Sequence, residues 1–496
     1  MKTKEIPYII ILLFAVYFSF FYNIGSIPLF NLDEGAFSEA TRQMIESGNF
    51  LTTYLNEHLR FDKPILIYWL QAYSIHFFGL NEFALRLPSA ISASLWAMAI
   101  YLFVRYFYDY KKAFFSSFIM ITSLQISIIA DAAIADALLN LFIALSMFFI
   151  YLYWDKRENK YIYLTFASIG FGTLTKGPVA IMIPFVVSLI FFSINKEFKL
   201  WIKTILNPKG ILIFLAITLP WYLLEYIDQG QKFIDGFFLK NNLQRFDSSL
   251  EHHKGSIFYF IPVLIIGLMP WTLQLFKSFK VKTNLEKYLL IWFGFVFLFF
   301  SFSGTKLPHY VIYGYTGIII LMATREFFDY KYMVIFPITL LFLLFLFPIM
   351  IDYIHIKDHF FNYMMQTSSK FFDIGYRGGL VVSMLILFSL IFVKISNTKK
   401  LIIMGFVFIF TINSVVMPTI AKIKEQPIKN LALFVKKNYP NSEVCMKGIN
   451  VPTFSVYVEK ITPHKDCEII LTKAYNKYEN YTPLKKDGAY MIMKQK

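Results

Sequence analysis

Charge is scarce in this chain: 16% of its 496 residues are Asp, Glu, Lys or Arg, against roughly 25% in an ordinary soluble domain, while 57% are hydrophobic and 19% aromatic. That balance excludes a soluble enzyme. A signal-peptide cleavage site is also missing, because the apolar run after Lys2 and Lys4 continues into Tyr22, Asn23 and Ile24 without small residues. The segment is therefore expected to stay as an uncleaved anchor. No convincing inverted repeat of the kind many secondary transporters carry is present, which mildly disfavours transport. Neither an HExxH spacing nor a dense ligand cluster occurs, so the pair His252 and His253 alone is a weak metal signal.

What the chain has in abundance is apolar runs close to the roughly 20 residues needed to cross a bilayer as helix. They fall near 6–23, 83–104, 113–130, 134–153, 161–174, 177–194, 210–226, 257–275, 288–303, 309–323, 333–350, 379–393 and 401–417. The expectation is a multispanning α-helical membrane protein with about thirteen crossings. The formal net charge of +16 would suggest nucleic acid in a soluble domain, but here the basic residues sort by membrane side. With Lys2 and Lys4 inside, Lys111 and Lys112, Lys156 and Arg157, Lys196 to Lys209, Lys277 to Lys287, Arg325 and Lys331, and Lys394 to Lys400 all fall on the cytoplasmic face. The positive-inside rule is met at each turn, and an odd number of crossings places the C-terminus outside.

Three segments lie outside the lipid-dissolved body, and all three fall on the outer face: 24–82, 227–256 and 418–496. Residues 1–417 read as one membrane domain and 418–496 as a small α/β domain. The latter has a helix-like stretch from Pro427 to Tyr439 and strand-like runs around Val444, Phe454 to Val458, Glu468 to Leu471 and Tyr490 to Met493. Its 14 basic against 7 acidic residues suit an anionic membrane surface or a phosphorylated glycolipid. Both cysteines, Cys445 and Cys467, lie there, and in an oxidising periplasm they are expected to pair. Two unpaired thiols stay open, since spacing does not give Cα separation.

The first outer loop carries the richest chemistry. Asn31-Leu32-Asp33-Glu34 leads into a polar helix, Gly35 to Ser47, whose Phe37, Ala40 and Met44 share one face, as in a helix lying along the membrane interface. In the bland reading Asn31 is its N-cap, Glu34 closes a capping box and Asp33 meets the positive helix end. For Glu34 that reading is preferred. Asp33 stands equally well as a surface carboxylate able to position an acceptor or act as a base. Further on, Arg60-Phe61-Asp62-Lys63-Pro64 precedes an apolar helix from Ile65 to Phe78, with Pro64 in its first turn. Lys63 beside that helix end makes the kind of positive site that binds phosphate, although a snorkelling lysine accounts for it as well. Asp131, Asp136, Thr175-Lys176-Gly177-Pro178, Arg245, His252, His253 and Thr305-Lys306-Leu307-Pro308-His309-Tyr310 all fall where successive spans emerge on the same outer side.

The order Asp33-Glu34, Phe61-Asp62-Lys63-Pro64, Ala135-Asp136-Ala137-Leu138, Thr175-Lys176-Gly177-Pro178, Leu219-Pro220-Trp221-Tyr222, His253-Lys254, Pro270-Trp271 and Gly304 to Tyr310 resembles the bacterial aminoarabinose transferase group. These are GT-C glycosyltransferases related to dolichyl-phosphate-mannose protein mannosyltransferases. The resemblance implies an inner-membrane enzyme whose site and C-terminal domain face the periplasm. It would take a sugar, such as 4-amino-4-deoxy-L-arabinose or another amino sugar, from an undecaprenyl- or other polyprenyl-phosphate donor and give it to lipid A or a related outer glycolipid. Carried over by position, Asp33 and Asp136 resemble the catalytic acids, and Lys63 the donor-phosphate lysine, with Arg245 and Tyr310 beside the donor. Asp62 and His253 match positions able to hold a divalent metal such as zinc or magnesium. The chain departs from the family at Ala36 and Phe37, where Arg and Tyr are common, and at Asp62, where Glu is commoner. A protein O-glycosyltransferase is the second reading, and a lipid flippase or transporter the third.

Overall fold

Long uninterrupted apolar runs have one way to satisfy their backbone polar groups away from water, which is to close them within helices. The computed structural model describes residues 4–243, 255–351 and 358–496. Six of its helices are long and apolar enough to cross a membrane: Glu82–Phe107, Asp136–Lys156, Pro208–Gln229, Asn284–Phe302, Tyr330–Met350 and Asn397–Lys424. Among the described residues one further pair, Tyr110–Thr122 and Leu124–Ala130, passes the same length and composition as a unit but is bent by 68°. Ile6–Phe21, Val179–Ile194 and Ile374–Ser389 are shorter apolar helices.

Of the other apolar runs, 161–174 is one continuous helix, Asn159–Lys176, and two are broken. The run 257–275 contains an eight-residue helix, Phe260–Gly267, and a 3-10 stretch, Thr272–Lys277, while 309–323 starts as the 3-10 stretch Pro308–Gly314 before the helix Tyr315–Thr324. Breaks at this depth are tolerable because protein groups take over the freed backbone. At the 68° bend the Leu124 N–H donates to the Met269 carbonyl at 3.0 Å.

Packing between helices uses two devices suited to lipid. Buried indoles act as polar glue: Trp96 Nε1 donates to Thr316 Oγ1, Trp271 Nε1 to Thr122 Oγ1, each at 2.9 Å, and Trp292 Nε1 to the Tyr313 carbonyl at 2.8 Å. Small residues allow close approach, as at Gly317, where a Cβ would lie 2.5 Å from the Leu289 carbonyl oxygen.

The first outer loop holds a short hairpin, β1 (Tyr54–Leu55) and β2 (His58–Leu59). After Lys424 a helix, Gln426–Asn438, leads into a four-stranded sheet of β3 (Val444–Met446), β4 (Ile469–Lys473), β5 (Tyr481–Asp487) and β6 (Tyr490–Gln495), in the order β3-β4-β6-β5. Strands β3 and β4 are parallel, and β6 runs antiparallel to both β4 and β5. Cys445 and Cys467 are joined as a disulfide. Two details depart from the sequence pattern. The run Phe454 to Val458 is helical, within Pro452–Val458, because a proline in the first turn presets the helix. Its burial on nearly all sides removes the alternation that would have revealed this. Strand β5 escaped notice because it is an edge strand whose Lys485, Lys486 and Asp487 give it a polar, unstrand-like composition.

Candidate active site

Leu32 sits at φ 71°, a backbone turn that starts the helix Asp33–Ser47 and sends two adjacent carboxylates to different fates. Asp33 is exposed and lines a cavity of about 470 Å³ together with Asn31, Asp131, His309, Gln125 and Asn413. Glu34 turns inward and is 3% exposed. Its Oε1 accepts from Arg86 Nε at 2.8 Å and from the Ala133 N–H at 2.7 Å, and its Oε2 from Arg86 Nη2 at 2.8 Å and the Phe30 N–H at 2.7 Å.

Arg86, also 3% exposed, spends its other donors on the carbonyls of Ile24, Ile27 and Pro28 at 2.6–3.0 Å. One buried ion pair therefore fixes the loop 24–34 that carries Asp33. The capping-box reading is corrected here: Asn31 does not cap the helix, and Glu34 serves a partner 52 residues away. Arg86 was absent from the sequence-derived site, although a lone arginine inside an apolar run was the signal for it.

The first-loop helix is covered by protein rather than left open on its polar side. Every residue from Glu34 to Met44 is buried, covered in part by the terminal segment. Asn31 Nδ2 donates to the Asn450 carbonyl at 3.1 Å, Thr453 Oγ1 donates to Asn31 Oδ1 at 3.5 Å, and a Cβ on Gly35 would lie 2.6 Å from the Thr453 backbone nitrogen. Gly35→Ala is therefore expected to cost about 1–3 kcal/mol through overpacking and to loosen this seat. A lower unfolding temperature and faster protease cleavage around residue 450 would be the readouts; unchanged values would remove Gly35 from the seat.

Asp131 stands beside Glu34 and Arg86, and burial holds its carboxyl well above the usual carboxylate range against the pull of Arg86. Above it, two π-helical turns, Tyr17–Phe21 and Ile412–Val416, meet at the cavity wall, where Asn413 Nδ2 donates to the Phe18 and Ser19 carbonyls at 3.1 and 3.2 Å.

A second cluster adjoins the first. Asp136 Oδ1 accepts from Lys176 Nζ at 2.7 Å and from the Tyr313 hydroxyl at 3.0 Å, with Lys176 lying 5.5 Å over the Tyr313 ring. Tyr310 packs at 4.9 Å against Phe300 and 6.3 Å from Tyr313. His309 joins the two clusters, since Asp136, Lys176, Asp33 and Lys63 all lie within electrostatic reach of its ring. Asp33, Lys63 and Asp136 are thus each within electrostatic reach of His309. Asp136, however, is 4% exposed and committed to Lys176 and Tyr313, so its geometry is that of a positioning group.

Asp62 Oδ2 faces Arg60 Nη2 at 3.4 Å, and the Lys63 ammonium donates to the Asp62 carbonyl at 2.9 Å. Arg60 also lies over the Phe37 ring and donates to the Tyr68 hydroxyl at 3.3 Å. Among the described residues no group of three or more His, Cys, Asp and Glu gathers as a metal would require. Asp62, one of the two residues expected to hold a metal, faces the Arg60 guanidinium. Arg245 and His253 lie outside the described residues.

At the junction after Lys424, Glu425 is 1% exposed, and neither carboxylate oxygen has a hydrogen-bond partner among the described residues; Lys424 Nζ is 3.6 Å away. Burial pushes its carboxyl up to about 7, against the pull of Lys424 and with a further push from Glu34. A folded pKa raised above its unfolded value gives stability that is full below about pH 4.5 and lost as pH rises through about 7. Glu425→Gln should flatten that pH profile and raise the unfolding temperature at pH 8; an unaltered profile would place Glu425 in water.

The family described as dolichyl-phosphate-mannose-protein mannosyltransferase matches residues 62–223. An uncharacterized protein of Aquifex aeolicus (strain VF5) is 30% identical over 321 residues, 64% of this chain and 73% of that protein. An undecaprenyl phosphate-alpha-4-amino-4-deoxy-L-arabinose arabinosyl transferase of Wigglesworthia glossinidia brevipalpis is 29% identical over 340 residues, 65% of this chain. The match spans 59% of that relative's own length. The crystal structure of ArnT from Cupriavidus metallidurans bound to undecaprenyl phosphate shares the fold, with a TM-score of 0.79 at 18% identity, over 98% of this chain and 97% of that one.

Proposed function

Since the chain belongs to the aminoarabinose-transferase-like GT-C glycosyltransferases, we propose that it transfers a sugar from a polyprenyl-phosphate carrier to an outer glycolipid. The observation that carries this reading is an exposed carboxylate, Asp33, lining a cavity with His309, whose ring lies within electrostatic reach of the cation Lys63. In this proposal thirteen crossings place that cavity on the periplasmic side of a bacterial inner membrane. Residues 418–496 form a small domain on the same side, against the membrane body of residues 1–417.

The reaction breaks the bond between the sugar's anomeric carbon and the phosphate oxygen, and forms one to an acceptor oxygen. The leaving phosphate gathers negative charge, and Lys63 meets it with an ammonium already in place, with Arg245 proposed as a second cation and Tyr310 placed near the donor by resemblance. Asp33 orients the acceptor. If the acceptor is a phosphate it is already ionised at neutral pH and Asp33 removes no proton; if it is a hydroxyl, Asp33 takes its proton as the bond forms. Single displacement with inversion follows from the resemblance. Asp136 holds Lys176 and Tyr313 behind the site.

Lipid A, or a glycolipid like it, is the proposed acceptor and an amino sugar the proposed cargo, supported by the arabinosyl transferase relative and by the net basic terminal segment. Mass spectrometry of lipid A from cells with the wild-type gene, without it, and with Asp33→Asn tests this directly. A sugar-sized mass present only with the wild type is expected, and its value identifies the sugar class. Identical lipid A in all three strains would overturn the acceptor, and sugar-labelled protein in its place would establish a protein O-glycosyltransferase.

A further inference from the structure

The end of the bundle opposite Asp33 holds a second cavity, of about 300 Å³, enclosed by Asp136–Lys156, Asn159–Lys176, Val179–Ile194, the short helix Phe198–Ile205, and Pro208–Gln229. Its walls include Phe166, Ile169, Pro184, Phe192, Trp201 and Phe214. The threonine and serine hydroxyls and the indole among its lining residues are occupied. Thr165 Oγ1 donates to the Tyr161 carbonyl and Thr204 Oγ1 to that of Leu200, both at 2.8 Å; Ser188 Oγ donates to the Phe185 carbonyl and accepts from Trp201 Nε1, both at 3.0 Å. Water there would lack the two to four partners it needs, so the space suits hydrocarbon.

The helix Phe198–Ile205 forms one wall and is strongly amphipathic. Trp201, Thr204 and Ile205 face the cavity, Phe198 and Ile202 are exposed apolar residues, and Lys199 and Lys203 form an exposed stripe four residues apart. Lys196 and Lys209 flank it, also exposed. The only acid in this stretch, Glu197, is taken by Arg157 at 2.6 Å, and none of the four lysines is ion-paired among the described residues. Beside the cavity, Pro208–Gln229 presents Leu212, Leu215 and Leu219 to lipid.

We infer that this is a binding site for an anionic phospholipid: one acyl chain fills the cavity, and the headgroup phosphate sits against Lys199 and Lys203. The charge of the rim selects the headgroup, because four unpaired ammonium groups beside a dry slot favour an anionic lipid over a zwitterionic one of the same chain length. The site lies away from the Asp33 cavity and takes no part in sugar transfer.

The test uses the full-length protein, purified and delipidated in mild detergent, with its thermal unfolding followed by circular dichroism after adding phosphatidylglycerol, phosphatidylcholine or undecaprenyl phosphate. Phosphatidylglycerol is expected to raise the unfolding temperature by several degrees more than phosphatidylcholine. Lys199→Gln with Lys203→Gln should erase that difference, and Ile169→Trp, which fills the cavity, should erase it too. The lysine pair is on the surface, so it decides the matter even if Ile169→Trp fails to fold. Equal protection by both phospholipids, or an advantage that survives the lysine pair, would overturn the site. Displacement of phosphatidylglycerol by undecaprenyl phosphate, counted by native mass spectrometry, would overturn it as well and assign the cavity to the donor's tail.

Discussion

Asp33→Asn is expected to reduce sugar transfer by roughly 10²–10⁴-fold, the usual worth of a well-placed acid or base, while helix content and unfolding temperature stay at wild-type values. The expectation rests on placement. Asp33 is exposed at the cavity, so no buried network depends on its charge. Amide for carboxylate keeps the shape and removes the charge that would orient the acceptor. Lys63→Ala should act in the same direction, because a preplaced cation facing a leaving phosphate commonly contributes ~10²–10³-fold. Turnover by both purified variants at the wild-type rate would take these residues out of the mechanism. Loss of helix content in Asp33→Asn would recast it as a structural residue.

Its neighbour should give the opposite result. Glu34→Ala leaves the Arg86 guanidinium buried and uncompensated, a change that costs about 3–5 kcal/mol in comparable ion pairs. Arg86 also organises Ile24, Ile27 and Pro28, so the whole of the loop 24–34 is expected to loosen. The variant should express poorly and unfold many degrees below the wild type. Pairing it with Arg86→Leu should recover part of the loss, since the second change removes the stranded charge. A Glu34→Ala protein as stable as the wild type, or a double variant worse than the sum of the singles, would contradict the buried-pair account.

These two residues also show where sequence reading succeeds and stops. Asp33, Lys63 and Asp136 stand out as candidates because an ordered series of short motifs is visible without any knowledge of contacts. Glu34 was misread because Asn31 and Glu34 have the spacing of a capping box, and nothing local distinguishes that from a carboxylate committed to Arg86. The first-loop helix has the face of an interfacial helix, yet its cover comes from Pro452–Val458, far along the chain. Hydrophobic runs report depth in the membrane and not continuity. The run 113–130 carries no charged residue, and at its 68° bend by Ser123 the Met269 carbonyl accepts from the Leu124 N–H. The terminal sheet was readable in β3, β4 and β6, whose inward residues are apolar, but not in β5.

The seat of Asn31 on Asn450 also sets an order of events during synthesis. The two residues are 419 positions apart, an interval that takes roughly 20–80 s to translate at ~5–20 residues per second. Throughout that time the loop bearing Asp33 has been made while the wall that closes over it has not. The nascent chain therefore carries the first-loop helix with one side still uncovered. That cover is completed only when residues 450–453 arrive, so ribosome stalling or truncation upstream of them yields a full set of motif residues with Asn31 and Gly35 unseated.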